Sequence, residues 1–353
     1  MTLPLSVLQT SSRSANAPRG ALRPNHLVDA HGRVIQDLRL SVTDRCNFRC
    51  TYCMEPDTRF MPKRKLLNLH EYLRLARVVH GLGITKIRLT GGEPTLYPDL
   101  DQLIDGLGKL ALDDLAMTTN GWQLEQDRAL RWKQSGLTRL TFSLDTLREE
   151  RMSAITRSVT SVAQVVSSIE TAHRAKLTPL KVNAVIMRGV NDDEITEFAH
   201  FASEMNIAMR LIEFMPLDAG RNWDRKQVVP MSEMLERLQE VHELVPHTND
   251  TPHSTSTNFS FANGRPGSIG IIAPVSRPFC GACNRLRITA DGKMRPCLFS
   301  LEEWDLSPLL RQGATDDALA SYMADGVWQK QKGHGIDSEQ FEQPARTMSS
   351  IGG

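Results

Sequence analysis

The sequence contains no uninterrupted apolar run approaching the roughly 18 residues that a membrane-spanning helix needs. It also lacks charge of one sign: 42 Lys and Arg against 41 Asp and Glu leave a formal net charge of +1. The first absence excludes a helical membrane span. The second argues against a general nucleic-acid or membrane surface, while leaving room for local basic clusters that hold a small anion. Cysteine is scarce, at six in 353 residues, and the six are not scattered. Cys46, Cys50 and Cys53 follow C-x3-C-x2-C spacing, and Cys280, Cys283 and Cys297 follow C-x2-C-x13-C. Such close neighbours bridge poorly and a reducing cytoplasm disfavours disulfides, so both triplets read as ligands for a metal or cluster in a soluble, cytoplasmic protein. Acidic residues are missing before Asp29, where Arg13, Arg19 and Arg23 lie among serines in superficial likeness to a transit peptide. Pro4, Pro18 and Pro24 would break its amphipathic helix, so residues 1–35 are expected to form a disordered or variable extension.

From about residue 36, short β-rich runs alternate with amphipathic helical patterns, as in successive βα units around a parallel sheet. Strands are predicted over 37–43, 86–90, 114–118, 139–144, 181–187 and 209–214, with helices over 69–82, 100–110, 161–175 and 193–205. Six such units point to an α/β fold, a partial (β/α)6 TIM-like barrel over 36–230, with reactive groups where strands run out into loops. The first triplet, Gly91-Gly92-Glu93-Pro94, Thr118-Thr119-Asn120-Gly121, Ser143 with Asp145, and Glu213 to Met215 all fall at such ends. One Gly-Gly or Asn-Gly is ordinary loop punctuation; recurrence at the same end of successive strands implies a shared mouth.

Past Met215 the alternation stops. A helical patch over 231–241 leads into a polar loop, 247–260, that reads as a flexible surface excursion. Strands follow over 268–273 and 286–289, with Asp291-Gly292 as a hairpin turn before Cys297. Residues 231–353 are expected as a smaller C-terminal layer that carries the second triplet and ends in Gly352-Gly353.

Three thiolates are one short of a closed tetrahedral site. A structural zinc would need a fourth ligand, such as His242 or His253. A cubane iron-sulfur cluster would instead leave one iron open to another molecule. The first triplet with Tyr52 before its last cysteine, followed by Gly91-Gly92-Glu93-Pro94 after the next strand, resembles the radical S-adenosylmethionine superfamily. The run Cys280-Gly-Ala-Cys283-Asn-Arg285-Leu-Arg287, then Cys297 and Gly352-Gly353, narrows the resemblance to the GTP 3′,8-cyclase family of molybdenum cofactor biosynthesis. Leu38-Arg39-Leu-Ser41-Val-Thr43-Asp44 and Lys86-Ile-Arg88-Leu-Thr belong to the same match, which covers nearly everything from residue 37 to 353.

The resemblance implies two 4Fe-4S clusters and S-adenosyl-L-methionine as cofactors. Cys46, Cys50 and Cys53 would hold the first cluster, with Tyr52, Gly92, Ser143 and Met215 around S-adenosylmethionine. A glycine at position 92 is expected to keep the cofactor's approach clear. Cys280, Cys283 and Cys297 would hold the second cluster, whose open iron meets guanine, giving a C-terminal extension that carries an iron-sulfur centre. Arg39, Arg88, Thr118, Lys181, Arg285, Leu286 and Arg287 match substrate positions, and Lys86 and Arg210 lie at strand positions from which they could join them. Guanidinium groups suit a triphosphate in the absence of any Walker-type loop. Gly352 and Gly353 would reach the active site as a tail that supports Arg88 or a neighbouring arginine. Implied partners are GTP, an electron donor such as flavodoxin or ferredoxin, and cyclic pyranopterin monophosphate synthase as receiver of the product; a homodimer is compatible. Tyr97-Pro98 stands where many relatives carry an arginine pair, so electrostatics at the mouth could differ. The alternatives are another radical S-adenosylmethionine enzyme with an auxiliary cluster, which would not account for Asn284-Arg285-Leu-Arg287 or the glycine tail, and a zinc-binding interaction module.

Overall fold

The structure, a computed structural model, describes residues 26–248 and 251–352. Strands β1 (Leu27–Val28) and β2 (Val34–Ile35) pair antiparallel. The Asp29 carboxylate closes their turn by accepting from the backbone amides of His31 and Arg33 at 2.9 and 3.0 Å. Leu27 and Ile35 are fully buried, so the last part of the expected disordered extension is instead built into the fold. Residues 1–25 lie outside the described residues.

The βα alternation then begins, with β3 (Asp37–Ser41), α1 (Leu69–Gly81), β4 (Lys86–Thr90), α2 (Leu100–Gly108), β5 (Asp114–Thr119), α3 (Gln126–Gln134) and β6 (Arg139–Ser143). It continues through α4 (Glu149–Thr156), α5 (Val162–Arg174), β7 (Lys181–Ile186), α6 (Ile195–Glu204) and β8 (Ala208–Glu213). All six predicted strands are present with ends shifted by at most two residues. Capping boxes fix the starts of α1, at Asn68 and Glu71, and of α5, at Ser161 and Gln164. Helices α3 and α4 escaped the hydrophobic pattern because each is short and buries few side chains, Ala129 and Trp132 in α3 and Met152, Ile155 and Thr156 in α4.

The remaining elements are α7 (Met231–Gln239), β9 (Leu244–Pro246), β10 (Thr257–Phe261), β11 (Ser268–Ile272), β12 (Arg285–Ile288), β13 (Lys293–Arg295), β14 (Trp304–Asp305), α8 (Ser307–Arg311), α9 (Asp316–Trp328) and α10 (Met348–Ile351). These do not form a separate layer. One 12-stranded sheet runs β14-β13-β12-β3-β4-β5-β6-β7-β8-β11-β10-β9. Strand β12 pairs parallel with β3, and β11 pairs parallel with β8, so C-terminal strands continue the barrel at both edges. Open parallel edges expose unpaired backbone groups, and this arrangement satisfies them. One buried cluster extends from Leu27 to Val327, and a second, smaller one gathers Leu217, Val228, Val275, Phe299, Ile336 and Ile351.

The polar stretch 247–260 is likewise less free than expected, since β10 begins within it and buries Phe259. Tyr97 turns into the core, its ring edge-on to Tyr72 at 5.7 Å, rather than toward the mouth. Among the described residues no helix is long and apolar enough to cross a membrane.

Candidate functional site

A cavity opens at the carboxyl ends of the barrel strands. The loop after β3 brings Cys46, Cys50 and Cys53 to its wall, beside Tyr52, Gly91, Gly92, Ser143 and Met215. The Gly-Gly turn packs directly on that loop: Gly92 donates to the Thr43 carbonyl at 2.7 Å and Glu93 to the Arg45 carbonyl at 2.7 Å. A Cβ at Gly92 would run into the Arg45 carbonyl and lie 2.7 Å from that of Asp44. The need for glycine therefore comes first from the chain's own backbone, a reason separate from the cofactor approach expected of it. Glu93 is fully enclosed and accepts from the Asn120 and Thr95 amides at 2.7 and 3.0 Å and the Thr119 hydroxyl at 2.8 Å. It locks three strand ends together.

The Tyr52 hydroxyl donates to buried Asp145 at 2.7 Å, and the Val185 amide donates to the same carboxyl at 2.8 Å. Burial raises the Asp145 carboxyl to about 6. Burial also pushes the Cys46 thiol up to about 12 and the Cys53 thiol to about 11, and raises Cys50 well above the ordinary thiol value. The Phe48 amide donates to the Cys46 sulfur at 3.3 Å.

Beneath this sulfur rim lies a cationic floor. Register aligns Arg39 of β3 with Arg88 of β4 on one side and Arg287 of β12 on the other. Alternation of side chains along strands sends residues at matched positions to one face, and all three line the cavity with Thr118, Arg210 and Arg285. Like charges set opposite one another on neighbouring strands repel. Burial lowers Arg39, and burial with the neighbouring guanidiniums lowers Arg88 and Arg287 well below the usual value. The Arg88 Nη1 donates to Thr141 at 2.9 Å and Thr118 at 3.3 Å, while the Arg39 Nε is buried without a partner.

Several predicted contacts fall elsewhere. Leu286 alternates away from the arginines and its side chain is fully buried in the core. Lys86 is the first, exposed residue of β4, remote from the strand's carboxyl end. Lys181, at the start of β7, is absent from the cavity wall. It sits behind that wall, where burial and then Arg210, Arg139 and Arg88 lower its ammonium to about 7.

The second triplet stands behind Phe279, Arg285 and Leu298, which line the cavity in its place. Cys280 opens a short turn and Cys283 precedes β12, while Cys297 follows β13. The Arg285 guanidinium stacks over Phe279 at 4.9 Å and reaches the Cys283 sulfur at 3.4 Å. Burial alone would raise Cys283, but Arg285 and then Lys330 outweigh it and hold the thiol at about 6. Burial raises Cys280.

Neither histidine considered as a fourth ligand completes a zinc site. His253 Nδ1 bonds the Ala282 carbonyl at 2.7 Å, and His242 packs between His200 and Phe261 at 4.6 and 5.4 Å. Among the described residues no three His, Cys, Asp or Glu side chains converge on a single metal-ion position, so neither triplet is a closed one-ion site.

The tail returns to the site through α10. Ser349 hydrogen-bonds Cys53, and Arg287 Nη1 donates to the Gly352 carbonyl. The supported arginine is thus Arg287 rather than Arg88. Gly352 has φ +87°, and a Cβ there would lie 2.7 Å from the Thr90 hydroxyl, so this position needs glycine on two counts. Gly353 lies outside the described residues. The sequence reading missed Asn183, Thr255 and Phe279 on the cavity wall. Asn183 carries the signal of an inward strand position, two residues along from Lys181; Thr255, in an irregular loop, carries none.

Comparison with known proteins adds two family models, Radical SAM superfamily over residues 40–202 and Molybdenum Cofactor Synthesis C over 207–336. A GTP 3′,8-cyclase of Corynebacterium glutamicum is 44% identical over 338 residues, 93% of this chain and 89% of its own. One from Rhodopirellula baltica is 42% identical over 358 residues, 100% of this chain and 99% of its own. Among solved structures, Streptococcus suis SuiB bound to precursor peptide SuiA matches with TM-score 0.61 at 16% identity, covering 87% of this chain and 68% of that one. Native anSMEcpe with bound AdoMet matches with TM-score 0.57 at 14% identity, covering 85% and 82%. At these identities the two structures share the fold.

Proposed function

The chain belongs to the GTP 3′,8-cyclase family, radical S-adenosylmethionine enzymes of molybdenum cofactor synthesis, and from that premise we propose how its residues divide the reaction. The enzyme converts GTP to 3′,8-cyclo-7,8-dihydro-GTP, the first step of that pathway. Cys46, Cys50 and Cys53 would hold the iron-sulfur cluster that binds S-adenosylmethionine. The fit is carried by three free, half-buried thiols on one loop facing one cavity. Held there and given one electron, the pair would supply a 5′-deoxyadenosyl radical able to take the hydrogen from C3′ of the GTP ribose. Closing C3′ on C8 of guanine would then need one further electron and a proton to give the 7,8-dihydro product.

Around that cofactor, Ser143 and Met215 offer side chains from the cavity wall, and Gly92 offers backbone. Tyr52 offers backbone too, because its hydroxyl is engaged by Asp145. The observation that carries substrate binding is the row Arg287, Arg39, Arg88: three guanidiniums on adjacent strands, facing one cavity, without an ion pair to any of them among the described residues. Such a row is costly until an anion enters, and a triphosphate supplies charge and acceptors in the forked geometry guanidinium favours. Thr118 adds a hydroxyl, and Lys181 adds charge from behind the wall.

Cys280, Cys283 and Cys297 would hold a second 4Fe-4S cluster beside Arg285, where guanine would be fixed. Holding base and ribose at once brings C3′ and C8 face to face, the proximity that ring closure needs. Gly352 keeps Arg287 aimed into the cavity.

The electron donor we propose is an acidic one-electron carrier, a flavodoxin or ferredoxin. Residues 45–65 hold Arg45, Arg49, Arg59, Lys63, Arg64 and Lys65 against Glu55 and Asp57, a net of +4 in a chain of +1 overall. Five of these cations, all except Arg49, are exposed, in the stretch that carries the first triplet and runs on from it. Cyclic pyranopterin monophosphate synthase would receive the product.

Anaerobic reconstitution followed by addition of GTP, S-adenosylmethionine and a strong reductant tests the reading. Equal release of 5′-deoxyadenosine and cyclised nucleotide is expected; cofactor cleavage indifferent to GTP would overturn the substrate assignment.

A further inference from the structure

Lys330 follows α9 at only 3% exposure, and none of the ion pairs among the described residues includes it. A buried ammonium without a carboxylate is expensive unless other groups compensate it. Here its Nζ donates to the Arg285 carbonyl at 2.8 Å and to the Pro296 carbonyl. The first lies two residues after Cys283, and the second immediately precedes Cys297. Burial opposes its charge, and the sulfurs of Cys283 and Cys297 favour it.

Arg33 closes the same structure from the N-terminal side. Its Nη1 donates to the Cys280 carbonyl at 2.8 Å and the Lys332 carbonyl at 3.0 Å, and its Nη2 to the Gln331 carbonyl at 2.7 Å. Its Nε meets Asp29 at 2.5 Å, with side-chain exposures of 8% and 0%. Residues 330–332 are therefore tied to all three cysteine segments, through one ammonium and one guanidinium.

We propose that Lys330 and Arg33 form a buried cationic brace that positions Cys280, Cys283 and Cys297 and compensates the negative charge of the second cluster. The inference rests on the reading that these cysteines hold an iron-sulfur cluster. It explains why a lysine is kept in a dry interior. Metal ligation demands deprotonated thiolates, and a fixed cation beside them offsets the charge that the ligands bring. It also explains why the β1–β2 turn is ordered: Asp29 orients the fork of Arg33, which a lysine could not replace because three carbonyls in different directions need several fixed donors. Both are positioning residues; neither lines the cavity.

The test is iron content and a redox titration of the reconstituted full chain, followed by electron paramagnetic resonance. The wild-type protein should carry about eight irons per chain, two cubanes. Lys330→Met should fall toward about four, with the second cluster's signal lost or its reduction shifted to lower potential, while the first cluster's signal stays. Lys330→Arg, which keeps the charge, should recover iron. Arg33→Lys keeps the charge and the Asp29 pair but not the fan of carbonyl bonds, and it too should lose iron, separating positioning from charge. Full iron with an unchanged second potential in Lys330→Met would overturn the brace. Should the wild-type chain itself hold only about four irons, the two-cluster reading fails first and the brace with it. Melting curves of the iron-free variants matching wild type assign the loss to the site rather than to the fold.

Discussion

Burial drives the thiols of Cys46, Cys50 and Cys53 upward, and the buried carboxyls Glu93 and Asp145 add to it. The cations of residues 45–65 are mostly exposed, and of them only Arg49 opposes the shift at Cys46. Around Cys283 the charged neighbours are cations, Arg285 and Lys330, and the thiol is pulled down to about 6. The two triplets offer the same number of sulfurs, and their settings part at Cys283, whereas Cys280 is raised by burial like the first three. Reduction potential follows net charge, hydrogen bonding and exposure. The first setting opposes further negative charge and suits a strong reductant. The second welcomes it, which suits a site that holds a substrate still.

The largest effect should come from removing one sulfur on each side. Cys50→Ala should abolish S-adenosylmethionine cleavage while the second triplet still loads iron. Cys283→Ala should leave cleavage measurable while cyclised product disappears. Equal loss of cleavage in both variants, measured without GTP, would erase the division of labour.

The electrical contrast itself can be read from alkylation of the iron-free chain. At pH 7 a thiol at about 6 is mostly thiolate, whereas one at about 12 is almost wholly protonated. Allowing for the lower nucleophilicity of the more acidic thiolate, Cys283 should be labelled roughly a hundredfold faster than Cys46. Its rate should fall as pH drops through about 6. Mass-spectrometric mapping from pH 5 to about 8 checks both points, and equal labelling would cancel the contrast.

Arg39 lies between the two settings, and its replacement tests what joins them. Arg39→Met should weaken GTP binding roughly ten- to hundredfold, as expected for one charge-assisted contact. By relieving repulsion among neighbouring guanidiniums, the same change should leave the ligand-free fold as stable as before or up to about 1 kcal/mol more so. Binding isotherms paired with thermal melts show whether affinity and stability move in opposite directions. The smallest effect is expected at Lys86, exposed at the start of β4. Lys86→Ala should change GTP affinity by less than about twofold and stability by less than about 0.5 kcal/mol.

Much of this arrangement was legible before any coordinates. Hydrophobic alternation located the six barrel strands within two residues because they turn one face to the core and the other to the cavity, which leaves buried residues at a period near two. Loop chemistry at successive strand ends placed Cys46, Gly92 and Ser143 on one wall. What was misread depended on direction rather than position. Leu286 sits between two site arginines in sequence yet faces the core, and Lys86 shares a strand with Arg88 yet lies at its far end. The stretch taken for a free surface loop contributes Thr255 to the cavity, and residues given to a disordered extension contribute Arg33. Neither carries a periodic signal, because each acts from a turn or loop on residues distant in sequence rather than from a repeating face.

The sequence by itself determined the spacing of the two cysteine triplets, the strand-loop-helix rhythm and the family, since these are local: cysteine spacing, glycine at tight approaches, and the period of burial. Only the tertiary structure decided that β12 would lie beside β3, and with it that Arg287 and Arg39 share a row and the tail carbonyl caps that row. It alone decided that Lys330 would reach both halves of the second triplet. The physical reason is common to these cases. Strand pairing brings together residues nearly 250 positions apart, Arg39 and Arg287 among them, so charge and hydrogen-bond partners are set by edge closure of one sheet and by nothing in the local sequence.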